Sequence, residues 1–115
     1  MELKFIVERK NKPDSYYLEK IRIDMEFICI HMQEKSYSQF IKDEVLCDSM
    51  MFRLIQISEN TKRLSEVYRK SHPEIPWNEI SGLRNRIVHD YGHVVLNVVY
   101  EALTEDIPNL LGSFI

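Results

Sequence analysis

Apolar residues recur every three or four positions along most of the chain, which is the periodicity of amphipathic α-helices. The first such stretch follows Pro13, where we expect Asp14 to be the helix N-cap, and its apolar positions are Leu18, Ile21, Met25, Ile28 and Met32. Residues 36–42 predict a short helix or turn. The next stretch predicts one long helix over residues 43–70, with apolar positions at Leu46, Met50, Leu54, Ile57, Leu64 and Tyr68.

The second half of the chain predicts two further helices. The pattern stops at His72-Pro73, and Pro76 then occupies a position suited to the first turn of a helix. Gly92 is suited to close that helix as its C-cap, and the core-facing positions are Trp77, Ile80, Leu83 and Ile87. A last helix is predicted over residues 94–111. The predicted fold class is therefore all-α, an antiparallel bundle of four main helices plus a short helix.

The length of 115 residues is that of one domain. Residues 1–13 differ from the rest, because Leu3, Phe5 and Val7 alternate like a strand and a charged run follows them. We therefore predict an N-terminal extension at residues 1–13 and one helical domain at residues 14–115. Cys29 and Cys47 lie in apolar stretches without a nearby ligand residue, which favours buried free thiols in a reducing cytoplasm. The apolar runs are too short for a transmembrane helix.

The candidate chemistry is concentrated in Arg84-Asn85-Arg86-Ile87-Val88-His89-Asp90-Tyr91. This stretch places a fixed cation, an amide, a titratable base and a phenol within about two turns of a helix. Arg84 can hold a phosphate through its planar fork of donors. The imidazole of His89 can take or give a proton near neutral pH. These residue types are typical of a site that cleaves a phosphodiester.

The order Arg, polar residue, three residues, His, one residue, Tyr resembles the signature of the HEPN superfamily, and more narrowly of its HepT toxin branch. The preceding stretch is also similar to the loop and helix entry of that branch, and reads His72-Pro73-Glu74-Ile75-Pro76-Trp77-Asn78-Glu79-Ile80-Ser81-Gly82-Leu83. Residues 96–105 and Asp106-Ile107-Pro108 are similar to its last helix and acidic-proline ending. The resemblance covers residues 14–115.

The resemblance implies a ribonuclease toxin with Arg84 and His89 as catalytic residues, acting as a homodimer. It also implies a partner, a nucleotidyltransferase antitoxin that attaches AMP to Tyr91 and silences the toxin. The chain has only 3 Gly and no glycine-rich phosphate loop, so we expect no cofactor. The residues alone leave another function open, a catalytically silent helical dimer that binds a nucleotide or a nucleotidyltransferase.

Helix geometry independently favours a dimer. Arg84 and His89 are five residues apart and so point about 140° away from each other on an ideal helix. One chain aims them poorly at a single phosphate, whereas a twofold axis through this helix end would bring both pairs to one groove. Asn85 and His89 share a face at i and i+4, so the amide can orient the imidazole. The hypothesis is metal-independent cleavage of RNA, with His89 as the base.

The net charge of -3 and the pI near 5.8 argue against a protein that coats nucleic acid through bulk charge. Any RNA contact must therefore be local. Arg86 is one candidate, and the others form two pairs with seven-residue spacing on one predicted helix, Lys62 with Arg69 and Arg63 with Lys70. The alternative interpretation of these cations is a solvated helix face.

Two other interpretations of the motif exist. Arg84 could form a surface ion pair with Glu79 or Glu101, and a histidine at a helix end is often a polar cap. The stretch His89-Asp90-Tyr91-Gly92-His93 superficially resembles a zinc protease helix. Gly92 interrupts that helix and no third ligand is evident, so we predict no metal site and place His93 at the surface or an interface.

Overall fold

Helices joined by short connections make up the part of the chain that the computed structural model describes, residues 12–89 and 95–114. These residues contain no strand, which confirms the all-α prediction. The elements are α1 (Asp14–Met32), α2 (Tyr37–Lys42), α3 (Glu44–Arg63), α4 (Glu66–Ser71), α5 (Trp77–His89), α6 (Leu96–Glu101), a π-helical turn (Ala102–Asp106), α7 (Ile107–Leu111) and a 3₁₀ turn (Gly112–Phe114). The predicted C-cap Gly92 and the predicted extension, apart from Lys12 and Pro13, lie outside the described residues.

The core forms where α1 packs on α3, with α5 also packed on α3 and α7 against α1. Asp14 at the start of α1 contacts Ser65 after the end of α3, and Asp24 contacts Arg53, so α1 and α3 run antiparallel. Burying each large apolar side chain contributes roughly 1.5–3 kcal/mol. The fully buried apolar residues are Ile21, Met25, Ile28, Phe40, Met50, Leu54, Ile57 and Leu103.

The prediction of one helix over residues 43–70 is wrong, because the chain turns out of the helix at Leu64. Leu64 has extended backbone angles (φ -64°, ψ 145°), and Ser65 begins α4 as an N-cap whose Oγ accepts the Tyr68 N–H at 3.1 Å. Asp14 stabilises this break, since its carboxylate accepts both the Ser65 N–H at 2.8 Å and the Ser65 hydroxyl at 2.6 Å. Asp14 is therefore the first helical residue of α1 rather than the predicted N-cap, a position that Pro13 takes.

The predicted last helix is present over residues 96–111, but a wider π-helical turn interrupts it. The Ile107 N–H donates to the carbonyl of Ala102, five residues earlier. Pro108 provides the reason, because it has no N–H and its ring would clash with the carbonyl four residues before it in a regular α-helix. The extra residue in the turn moves that carbonyl aside.

Trp77 determines where α5 begins. Its indole N–H lies 2.9 Å from the carbonyl of Arg69 and 2.9 Å from that of His72, so it can donate to both acceptors at the end of α4. Its ring packs edge-on against Tyr68 and Phe114. The carbonyl of Pro76 then accepts the Ile80 N–H at 3.1 Å, which agrees with the predicted helix start after the prolines.

Both cysteines are free thiols, as predicted, although Cys29 is only half-buried while Cys47 is buried. The Cys47 thiol donates to the carbonyl of Phe40 at 3.1 Å. Burial raises the pKa of both thiols above its ordinary value, which lowers their reactivity. None of the helices in the described residues is long and apolar enough to cross a membrane.

Candidate active site

The backbone at Arg84 is attached to α3 by one small buried side chain. Ser58 is fully buried, and its hydroxyl donates to the carbonyl of Ser81 at 3.0 Å. The same oxygen accepts the N–H of Arg84 at 3.2 Å. Because serine is small, α3 and α5 can approach closely at this point, and the two hydrogen bonds set the register between them. The motif is therefore positioned by a residue that lies 26 positions earlier in the chain.

The side chain of Arg84 is partly exposed, at 43%, and is paired with Glu59 of α3. Its Nε lies 3.5 Å from Oε1 of Glu59, and its Nη1 donates to Oδ1 of Asn85 at 3.2 Å. The partners considered from the sequence, Glu79 and Glu101, do not pair with Arg84 in the described structure. Lys62 lies 3.9 Å from the same oxygen of Glu59, so this carboxylate sits between two cations.

Asn85 and His89 lie on the exposed side of α5. Asn85 bonds to the Arg84 guanidinium, and among the described residues no hydrogen bond joins it to His89. Likewise, no described hydrogen bond or ion pair joins Arg84 to His89. The Arg84 guanidinium is held towards α3, whereas the imidazole is exposed to solvent. Within one chain the two candidate catalytic groups therefore make no described contact with each other.

The side chain of Arg86 is exposed and lies back along α5. Its Nη2 donates to the carbonyl of Glu79 at 2.7 Å. Gly82 leaves room for this path, because a Cβ at that position would lie 3.4 Å from the same Nη2. The guanidinium keeps other donors available at the edge of a groove.

A groove of about 860 Å³ separates α5 from α6 and α7. Its floor reaches core side chains, among them Met25, Leu54 and Ile57. Val95 and Val98 line it while remaining 59% and 60% exposed. Its walls are mostly apolar, and its charged lining residues are Glu79, Arg86, Glu101 and Asp106. A concave apolar surface beside the motif helix is typical of a protein or ligand contact.

The two pairs of basic residues with seven-residue spacing do not share one helix face. Their predicted alignment required an unbroken helix through Leu64, where α3 has already ended. Lys62 and Arg63 end α3, whereas Arg69 and Lys70 belong to α4. Lys70 pairs with Glu66 at 2.9 Å. Arg69 lines a second pocket, of about 570 Å³, next to Trp77, and its Nε is buried without a hydrogen-bond partner in the described structure.

Tyr91 and the residues from Asp90 to His93 in the zinc-like stretch lie outside the described part of the chain. Within the described residues, no group of three or more His, Cys, Asp or Glu side chains could hold a metal ion. Sequence analysis overlooked Glu59 and Ser58, because neither belongs to the motif and helical periodicity does not reveal which residue of α3 meets α5.

Comparison with known proteins matches residues 17–113 to a family described as "Ribonuclease HepT-like". A relative from Caldanaerobacter subterraneus, named "Putative RNase", is 34% identical over 94 residues, which cover 82% of this chain and 84% of the relative. Another from Thermococcus cleftensis, named "Probable ribonuclease HepT", is 33% identical over 98 residues, which cover 85% and 89%. No solved structure matches the chain.

Proposed function

The chain belongs to the HepT-like ribonuclease family, and from that premise we propose that it is a metal-independent ribonuclease toxin whose composite site forms from two copies of α5. The observation that carries the proposal is the partial exposure of the Arg84 side chain and its contact with Glu59. The Arg84 guanidinium is partly exposed, pairs with Glu59 through Nε and donates from Nη1 to Asn85. His89 follows five residues later with an exposed imidazole. These are the two groups that cleavage of RNA through its own hydroxyl requires.

In the proposed reaction His89 removes the proton of a 2′-hydroxyl group, and that oxygen attacks the adjacent phosphorus. Arg84 neutralises the negative charge that grows on the phosphate oxygens. The 5′-oxygen leaves with a proton from the second imidazole of the composite site. The products are a 2′,3′-cyclic phosphate and a 5′-hydroxyl end, and DNA is inert because it has no 2′-hydroxyl.

The open groove beside α5 supports the homodimer. Its apolar walls reach the core, and the exposed valines at its edge form a patch of the kind that marks protein interfaces. A second copy seated there about a twofold axis would place the two motif helices side by side. The Arg84 of one copy could then act with the imidazole of the other, in keeping with the divergent directions of the two positions on an ideal helix.

The proposed regulation is modification of Tyr91 by a nucleotidyltransferase antitoxin. An AMP group on this phenol brings a phosphate next to the place where RNA phosphate must bind, so charge and volume both exclude the substrate. Coexpression with an active cognate transferase should add AMP mass to the parent and silence it. Tyr91→Phe should cleave RNA and escape silencing. Silencing of Tyr91→Phe by the active transferase would point instead to inhibition by complex formation.

The competing function, a catalytically silent dimer that binds a nucleotide or a nucleotidyltransferase, is supported by the acidic balance of the chain, with its net charge of -3. One assay separates the two. The purified chain is incubated in chelator with an RNA and with a DNA of the same sequence. Cleavage of RNA alone, leaving a cyclic phosphate, supports the enzyme. An intact RNA at high protein concentration would leave the binding function as the better proposal.

A further inference from the structure

Glu59 contacts the candidate catalytic arginine at the one guanidinium nitrogen that lies nearest the aliphatic chain. Its Oε1 is 3.5 Å from Nε of Arg84, and both side chains are partly exposed, at 41% and 43%. A guanidinium can bind a phosphate through its two terminal nitrogens, or through Nε and one terminal nitrogen. A carboxylate at Nε disfavours the second mode, and the first becomes available when Nη1 exchanges Oδ1 of Asn85 for a phosphate oxygen. Glu59 therefore limits how Arg84 can approach a substrate.

The residue before Glu59 holds the backbone of the same arginine. Ser58 accepts the Arg84 N–H at 3.2 Å, while Glu59 reaches the Arg84 side chain. Two consecutive residues of α3 thus fix both the main chain and the guanidinium. An exposed arginine loses rotamer entropy when it is ordered. If the Arg84 side chain is ordered before the substrate binds, less rotamer entropy is lost when the transition state forms.

We propose that Glu59 is a positioning residue for Arg84, an inference that rests on the proposed function. The carboxylate does not touch the substrate and, being negative, it weakens the attraction of the site for RNA phosphate. Its contribution is to aim Arg84 at the phosphate oxygens as charge develops on them. Loss of Glu59 should therefore affect two quantities in opposite directions, slowing cleavage while leaving RNA binding equal or tighter.

The test compares Glu59→Ala, Glu59→Gln and Glu66→Ala with the parent, together with Arg84→Ala. Glu66 is the matched control, since it also pairs with a lysine, Lys70, but lies on α4 away from Arg84. Cleavage of a short RNA gives kcat, and binding of the same RNA with a 2′-deoxy group at the cleaved position gives Kd. Circular dichroism and melting temperature check that each variant is folded.

We expect Glu59→Ala to lower kcat about tenfold, with an equal or lower Kd, because Arg84 is no longer preorganised. Glu59→Gln should retain part of the rate, since its amide oxygen can still lie against Nε although the charge is lost. Glu66→Ala should match the parent in kcat. Equal kcat for Glu59→Ala and Glu66→Ala, beside an inactive Arg84→Ala, overturns the positioning role alone. An Arg84→Ala variant as fast as the parent overturns the proposed site itself.

Discussion

The side of α5 that faces α3 is closed and hydrogen-bonded, whereas the side that faces α6 and α7 is open. On the closed side, Ser58 and Glu59 hold the main chain and side chain of Arg84. On the open side, a groove of about 860 Å³ leaves apolar side chains beside solvent, including the largely exposed Val98. The two sides of α5 therefore have different roles in the proposed dimer. The side that faces α3 sets the position of Arg84, and the side that faces α6 and α7 is available to the second copy.

The largest effects should come from the two candidate catalytic residues. Arg84→Ala and His89→Ala should each slow RNA cleavage by about a hundredfold or more, because each removes a group that acts on the transition state. Both side chains are at least partly exposed, so melting temperatures should change little. The measurement is initial cleavage rate beside a thermal unfolding curve. A His89→Ala variant that cut RNA at the parental rate would remove the base from the mechanism.

The next largest effect should come from a negative charge introduced into the groove between α5 and the segment of α6 and α7. Val98→Asp should convert the proposed dimer to a monomer and lower cleavage at least about tenfold, since a buried unpaired carboxylate costs several kcal/mol in an interface. Light scattering should give half the parental mass. Val45→Asp is the matched control, because Val45 is 79% exposed at the start of α3 and does not line the groove. A Val98→Asp variant that stays dimeric would place the interface elsewhere.

A moderate effect should follow from changing the contact on the closed side. Ser58→Val places extra volume where α3 and α5 are closest and leaves the Ser81 carbonyl and the Arg84 N–H without the hydroxyl. Overpacking of a core typically costs about 1–3 kcal/mol of unfolding free energy. Ser58→Ala should cost less, about 1 kcal/mol. Urea denaturation measures both, and equal stability of Ser58→Val and the parent would show that the contact is loose.

The smallest effect concerns acid stability where the start of α1 meets the start of α4. Hydrogen bonds from Ser65 lower the pKa of Asp14 below its ordinary value. A depressed folded-state pKa contributes stability that is present above the unfolded pKa, about 4, and is lost as the pH falls through the folded value. Asp14→Asn should therefore melt earlier than the parent at pH 7, with the difference shrinking in acid. A difference that is constant with pH would assign the contribution to packing instead.

Much of this protein is determined by its sequence alone, because local patterns report local structure. The spacing of apolar residues predicted α1, α2 and α5 and most of the last helix, and Pro76 marked the start of α5. The order of Arg84, Asn85 and His89 predicted the family, which the comparisons confirm. The five-residue spacing of Arg84 and His89 predicts that the two side chains diverge on an ideal helix. These features depend only on neighbours a few positions away along the chain.

The features that join distant residues follow from the way the helices pack on one another. The break after α3 depends on Asp14, 51 positions before Ser65, and no periodicity in residues 43–70 reveals it. Glu59 became the partner of Arg84, in place of Glu79 or Glu101, because Ser58 sets how α3 meets α5. Among the described residues α5 packs mainly on α3, and the groove lies between α5 and the segment of α6 and α7. Packing between helices depends on which side chains meet in three dimensions, and the spacing of apolar residues along the chain does not report this.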